Sequence, residues 1–198
     1  MITRKIGIGS QFLLDRIVRA LSLTKIHPNL LTAIGLAINI VAAVLFARGD
    51  FFAAGLVVLG AGLFDMVDGR VARITNTVTS FGAFFDSVVD RYSDMALYIG
   101  LLVYYARAER FFYVVLVALV MAGSVMISYT RARAESLIPT CKVGFLERPE
   151  RLVLIIIGAL FDRMAPALWV IAVLSNITVV HRIVYTWRFT QKQAAPSS

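Results

Sequence analysis

The chain has 198 residues, 59% of them hydrophobic, with a mean hydropathy of +0.79; a soluble domain has roughly 45–50% apolar residues, so a soluble globular enzyme is excluded. The single cysteine, Cys141, excludes an intramolecular disulfide and a thiolate metal cluster. The net charge of +8 comes from basic residues flanking apolar runs, which points to anionic lipid as the neighbour and not to nucleic acid.

Residues 10–24 place Phe12, Leu13, Ile17, Val18 and Leu21 on one face and Asp15, Arg16 and Arg19 on the other, which predicts an amphipathic helix lying in the membrane interface. The N-terminus lacks the basic-then-apolar pattern of a signal peptide. The uncharged run 30–47 predicts a first span from about 29 to 47, opened by Pro28-Asn29 and closed by the turn Arg48-Gly49-Asp50. A second span starts near Phe51 and runs into Asp65 and Asp68. The polar linker 75–80 leads to a third helix over about 81–106, polar along one stripe (Asp86, Asp90, Asp94) in its first half and apolar in its second.

The Arg107–Arg110 turn precedes a fourth span over about 111–133. A longer segment, 134–147, carries Pro139 and Gly144. A short fifth span runs from Pro149 to Phe161 and a sixth from about Pro166 to Trp187, with Trp169 and Trp187 as interfacial anchors. The fold expected is all-α and membrane-integral: six transmembrane helices behind an interfacial helix, one domain over 1–190, and a polar, disordered tail over 191–198. Gly55, Gly60 and Gly62 of the second span suggest a close-packed seam.

Six spans put both termini on one side. That side carries Arg4, Lys5, Arg16, Arg19, Lys25, Arg70, Arg73, Arg131, Arg133, Lys142, Arg148, Arg151, Arg182, Arg188 and Lys192, against Arg48, Arg107, Arg110 and Arg163 on the other. The positive-inside rule then places termini and carboxylates on the cytoplasmic face.

The most informative stretch is Asp65-x2-Asp68-Gly69-x2-Ala72-Arg73-x8-Gly82-x3-Asp86-x3-Asp90. Residues three and four apart share a helix face, so Asp65 pairs with Asp68 and Asp86 with Asp90; antiparallel packing would bring the four together. Ionisable groups at membrane depth are functional by default, and an all-oxygen donor set suits Mg²⁺, Mn²⁺ or Ca²⁺ and not zinc. Two ions about 3.5–4 Å apart would bridge a phosphate for in-line displacement. The bland alternative is ion pairing of these aspartates with Arg70, Arg73 and Arg91, which would need fewer carboxylates.

At each of these positions the stretch resembles the signature of the CDP-alcohol phosphotransferase family, and the six-span pattern extends the resemblance over nearly the whole chain. The resemblance implies transfer of a phosphoalcohol from a CDP-linked donor to an acceptor hydroxyl, with release of CMP. It implies Asp65, Asp68, Asp86 and Asp90 as metal ligands for Mg²⁺ or Mn²⁺, and Asp90 as general base. It further implies Gly69, Ala72, Arg73, Thr79 and the entry His27-Pro28-Asn29-Leu30 with Thr32 as CDP-lipid contacts, and a homodimer.

Three arginine-bearing segments bear on the acceptor: Ser128–Glu135, Phe145–Leu152 with its string Glu147-Arg148-Pro149-Glu150-Arg151, and His181-Arg182. Arginine forks suit phosphate, whereas flanking charge is the bland reading. These segments are similar to those of the family's phosphatidylinositol phosphate synthases and their archaeal ether-lipid counterparts. That resemblance implies Arg131, Arg151 and Arg182 as ligands of the phosphate of inositol phosphate, with CDP-diacylglycerol as donor. The alternatives are a phosphatidylglycerophosphate synthase using glycerol 3-phosphate and, outside the family, a cation transporter, whose site would lie near the midplane. Asp94 continues the acidic stripe and is expected behind the metal ligands or beside the acceptor, and not on a metal. His181 is acceptor-side or interfacial, and Cys141 an incidental thiol.

Overall fold

The computed structural model describes the backbone of residues 28–74 and 79–194 and the side chains of residues 29–65 and 79–193. The interfacial helix expected over 10–24, and His27, lie outside the described residues. The described residues form six helices: α1 (Pro28–Arg48), α2 (Phe51–Ile74), α3 (Ser80–Arg107), α4 (Phe111–Glu135), α5 (Arg148–Leu160) and α6 (Met164–Ala194).

The connections follow local chemistry. Gly49 takes φ +85° and its N–H meets the Phe46 carbonyl at 3.0 Å, which ends α1. Asp50 then caps α2 by accepting the Ala53 N–H. Thr79 has extended backbone, and its hydroxyl oxygen accepts the Gly82 N–H at 2.9 Å to start α3. At α5, the Glu150 carboxylate accepts the Glu147 N–H at 2.9 Å, and Pro149 sits in the first turn, where its missing N–H costs nothing.

The helices pack as α1 on α2 and α3, α3 on α4, α4 on α6, α5 on α2 and α6. Phe46, Val58, Leu97, Leu101, Val117, Val120, Ile155 and Leu168 fill the centre. A Cβ on Gly100 would overlap the Ala43 carbonyl, so only glycine allows α3 this close to α1. Gly55 packs against Ala159 and Leu160 of α5, whereas Gly60 and Gly62 face open space, so only the first of the three serves packing within the chain.

The outward faces carry large apolar side chains, among them Phe52, Leu59, Phe111, Leu119, Val173 and Ile183, far more than a water-facing surface bears. Among the described residues, three helices are long and apolar enough to cross a bilayer by length and composition alone: Asn29–Arg48, Phe111–Glu135 and Met164–Gln193. The other three, α2, α3 and α5, carry the acidic stretch and the Glu147–Arg151 string. Helix α5 has 13 residues, about 20 Å against a hydrocarbon core of about 30 Å. The segment 136–147 before it folds against α6, where Phe145 N–H donates to Thr178 Oγ1 at 3.1 Å and Arg182 Nε to the Val143 carbonyl at 2.8 Å.

One boundary is corrected. The polar tail expected from 191 onward is helical through Ala194 as the end of α6, because Gln, Lys and Ala favour helix whatever their polarity.

Candidate active site

Asp65 from α2 and Asp90 and Asp94 from α3 converge on one guanidinium, that of Arg148 at the first position of α5. Arg148 Nη2 lies 3.1 Å from Asp65 Oδ2, Nη1 lies 3.0 Å from Asp90 Oδ1 and Nε lies 3.4 Å from Asp94 Oδ1. Asp65 also seats against α1, where a Cβ on Gly35 would stand 2.9 Å from its Oδ1. Asp86 is exposed one turn before Asp90 and adds like charge to Asp65 and Asp90.

Among the described residues, no three His, Cys, Asp or Glu side chains stand close enough together to hold an ion. A cation nevertheless sits where the carboxylates meet, and it is the arginine. Asp68, Gly69, Ala72 and Arg73 lie on α2 beyond the last described side chain before the linker, and Pro28 opens α1. The pairing arginine is Arg148, whereas Arg91 turns back to the Ser87 carbonyl of its own helix.

The expected donor contacts that are described lie where α1 and α3 begin. A Cβ placed on Gly82 would be 3.0 Å from Thr79 Oγ1 and 3.5 Å from Asn29 Oδ1. Thr32 is half-buried one turn further along α1, and Leu30 faces outward.

The three expected acceptor arginines come together with Asp90 around one cavity of about 420 Å³, with Arg148 as a fourth, a size within the usual range of small-molecule sites. Arg182, 1% exposed, donates to the carbonyls of Val143 (2.8 Å) and Ile127 (2.5 Å) and reaches Glu147 at 3.3 Å. Arg131, about a third exposed, holds Glu135 and Glu147, each at 3.2 Å. Arg151, 3% exposed, gives Nη2 to Asp94 Oδ2 at 2.6 Å. Its Nε and Nη1, and Nε of Arg148, are buried without a hydrogen-bond acceptor. These four guanidinium groups about one cavity suit an oxygen-rich anion.

Sequence reasoning missed Arg148 as a site residue. Arg148 and Arg151 stand three apart in a string opening a helix, which puts both on one face. That spacing was the available signal.

The family model for CDP-alcohol phosphatidyltransferase matches residues 25–187. The chain belongs to this family. It is 36% identical over 172 residues to the archaetidylinositol phosphate synthase of Pyrococcus horikoshii, covering 86% of this chain and 88% of that one. It is 38% identical over 182 residues to the phosphatidylinositol phosphate synthase of Mycobacterium tuberculosis, covering 86% and 84%. The crystal structure of the M. tuberculosis synthase with CDP-DAG bound superposes with a TM-score of 0.82 at 35% identity, covering 88% of this chain and 93% of that one. The same synthase in complex with manganese and citrate gives 0.80 at 34% identity, covering 88% of each. This family member is therefore a membrane-embedded transferase.

Proposed function

We propose that the protein transfers the phosphatidyl group of CDP-diacylglycerol to a hydroxyl of inositol phosphate, giving phosphatidylinositol phosphate and CMP. The observation that carries this reading is the ring of Arg131, Arg148, Arg151 and Arg182 around a cavity that Asp90 also lines. A neutral acceptor needs no such ring, whereas a phosphomonoester matches several guanidinium groups about one cavity. The names of the relatives above support the same acceptor.

A divalent cation fits the donor set. Asp65 and Asp90 are oxygen donors already gathered about a positive charge, with Asp68 and Asp86 one helical turn from each. Such an ion, Mg²⁺ or Mn²⁺, neutralises the pyrophosphate and polarises its phosphorus when bound. Asn29, Thr32, Thr79, Gly69, Ala72 and Arg73, with His27, Pro28 and Leu30, hold the CDP-lipid. Arg131, Arg151 and Arg182 hold the acceptor phosphate and so present its sugar hydroxyl to Asp90. Asp90 takes the hydroxyl proton. The oxygen forms its bond to the lipid-linked phosphorus as the bond from that phosphorus to the CMP oxygen breaks, and CMP leaves with the electron pair.

The basic side of the chain faces the cytoplasm in this reading, so the site opens to soluble acceptor at the inner face of the cell membrane. The enzyme works as a homodimer.

The test is CMP release by purified protein with CDP-diacylglycerol and Mg²⁺. Inositol phosphate supports release and free inositol does not. Equal release with free inositol would remove the arginine ring from acceptor recognition. The P. horikoshii relative makes an ether-linked CDP donor the second substrate to assay.

A further inference from the structure

Arg148 stands in two places at once. Its guanidinium joins Asp65, Asp90 and Asp94 across α2 and α3, and its side chain lines the acceptor cavity between Asp90 and Arg151. Two of its three partners, Asp65 and Asp90, belong to the proposed cation set. A guanidinium hydrogen-bonded to a carboxylate oxygen blocks that oxygen from a metal, and two cations in one partly buried carboxylate cluster repel strongly. The arginine is incompletely satisfied where it stands, since its Nε, 3.4 Å from Asp94 Oδ1, makes no hydrogen bond, and Asp94 Oδ1 is itself left without a donor. Arg151 already serves the other Asp94 oxygen at 2.6 Å, so Asp94 stays paired if Arg148 departs.

We propose that Arg148 is a displaceable counter-ion: it holds the carboxylate site closed in the free enzyme, is expelled when a divalent cation loads, and turns into the neighbouring cavity to become a ligand of the acceptor's phosphate. The inference rests on the transferase reading of this site. Four events follow from the one side chain. The free enzyme keeps the charge of its aspartates partly compensated. Cation loading releases the Asp90 oxygen that Arg148 holds, so that Asp90 can serve both the cation and the acceptor hydroxyl. The same step adds a guanidinium fork to the acceptor site. Cation and acceptor therefore bind with positive coupling, and each raises the affinity of the other by the same factor.

The experiment measures Mn²⁺ binding to the full-length protein in detergent, by electron paramagnetic resonance, without substrate. Arg148→Gln binds Mn²⁺ about tenfold more tightly than wild type, while Arg151→Gln, which also removes one positive charge from the cavity, changes it by less than about threefold. Equal tightening in both variants would reduce the effect to general electrostatics and overturn the proposal, as would unchanged or weaker binding in Arg148→Gln. Arg148→Lys, which keeps the charge but loses the fork, falls between and serves if Arg148→Gln does not fold. Calorimetric binding of inositol phosphate supplies the second arm. Mn²⁺ tightens it in wild type about tenfold, and the tightening shrinks to less than about threefold in Arg148→Gln; full coupling in the variant contradicts the swing. If wild type releases no CMP with any acceptor, the transferase reading fails, yet the Mn²⁺ contrast still decides whether Arg148 and a cation compete.

Discussion

Arg151 Nη2 lies 2.6 Å from Asp94 Oδ2, with both side chains almost wholly inside the bundle. This contact ties the first turn of α5 to the middle of α3, and so ties the acceptor cavity to the helix that carries Asp86 and Asp90. It neutralises Asp94 while leaving Nε and Nη1 of Arg151 without acceptors. The arginine is held in position by one face of its fork and unsatisfied on the other.

Breaking this pair should cost stability as well as acceptor binding. Removing one partner of a buried ion pair costs about 3–5 kcal/mol, because the other charge is left uncompensated. Asp94→Asn and Arg151→Gln are each expected to lower the thermal unfolding midpoint in detergent, and the double variant to lose less than the two single losses together. Strict additivity would show that the two residues act independently.

Arg131 and Arg182 should separate. Arg131 sits at the rim on two carboxylates, and exposed pairs contribute about 0–1 kcal/mol. Arg131→Gln is expected to raise the inositol phosphate KM several-fold while leaving the unfolding midpoint and the CDP-diacylglycerol KM in place. Arg182 joins α6 to the carbonyls of Val143 and Ile127, so Arg182→Gln should raise the same KM and also destabilise the segment 136–147. Increased protease cleavage within 136–147, compared with wild type, is the readout. Identical behaviour of the two variants would place both on one duty.

The glycines give a control for the helix packing. Gly100→Ala drives a methyl into the Ala43 backbone, which cannot rotate away, and overpacking of this kind costs about 1–3 kcal/mol. Gly60→Ala meets nothing within 4 Å and should leave the midpoint of the detergent-solubilised protein unchanged. A neutral Gly100→Ala would mean that α1 and α3 lie further apart than described.

Asp90→Asn is expected to abolish turnover while preserving folding and CDP-lipid binding, since the amide keeps the shape but cannot accept the acceptor's proton. Chelation of divalent ions should also abolish turnover, and Mg²⁺ or Mn²⁺ should restore it. Near-normal turnover in Asp90→Asn would remove Asp90 as the base, and full activity after chelation would remove the cation.

The sequence displayed the spans wherever charge is absent for a whole bilayer thickness, as in 30–47 and 111–130, and it displayed the Arg48-Gly49-Asp50 turn because only a few residues accept that backbone. It also placed the aspartates on shared helix faces, because the helical repeat is local information. It did not display the partner of those aspartates. Arg148 and Asp65 are 83 positions apart, and their meeting depends on α5 packing on α2, which no local spacing encodes. The alternative partner, Arg91, is close in sequence but serves its own helix. Arg182 reads in the sequence as a phosphate ligand, but the two backbone carbonyls that orient its guanidinium lie 39 and 55 positions away and leave no local mark. The helical end of α6 was hidden for a different reason, since polarity marks solvent contact and says nothing about helix.

The measurement that bears most directly on the central claim is the ratio of kcat/KM for inositol phosphate to that for glycerol 3-phosphate, with CDP-diacylglycerol and Mg²⁺, in wild type and in Arg151→Gln. Inositol phosphate is expected to be preferred in wild type, and Arg151→Gln to lower its kcat/KM by about tenfold or more through KM, since truncating a buried charge partner costs about 2–5 kcal/mol. Preference for glycerol 3-phosphate would keep the chemistry and overturn the acceptor; unchanged acceptor kinetics in Arg151→Gln would contradict the arginine-ringed cavity as the acceptor site.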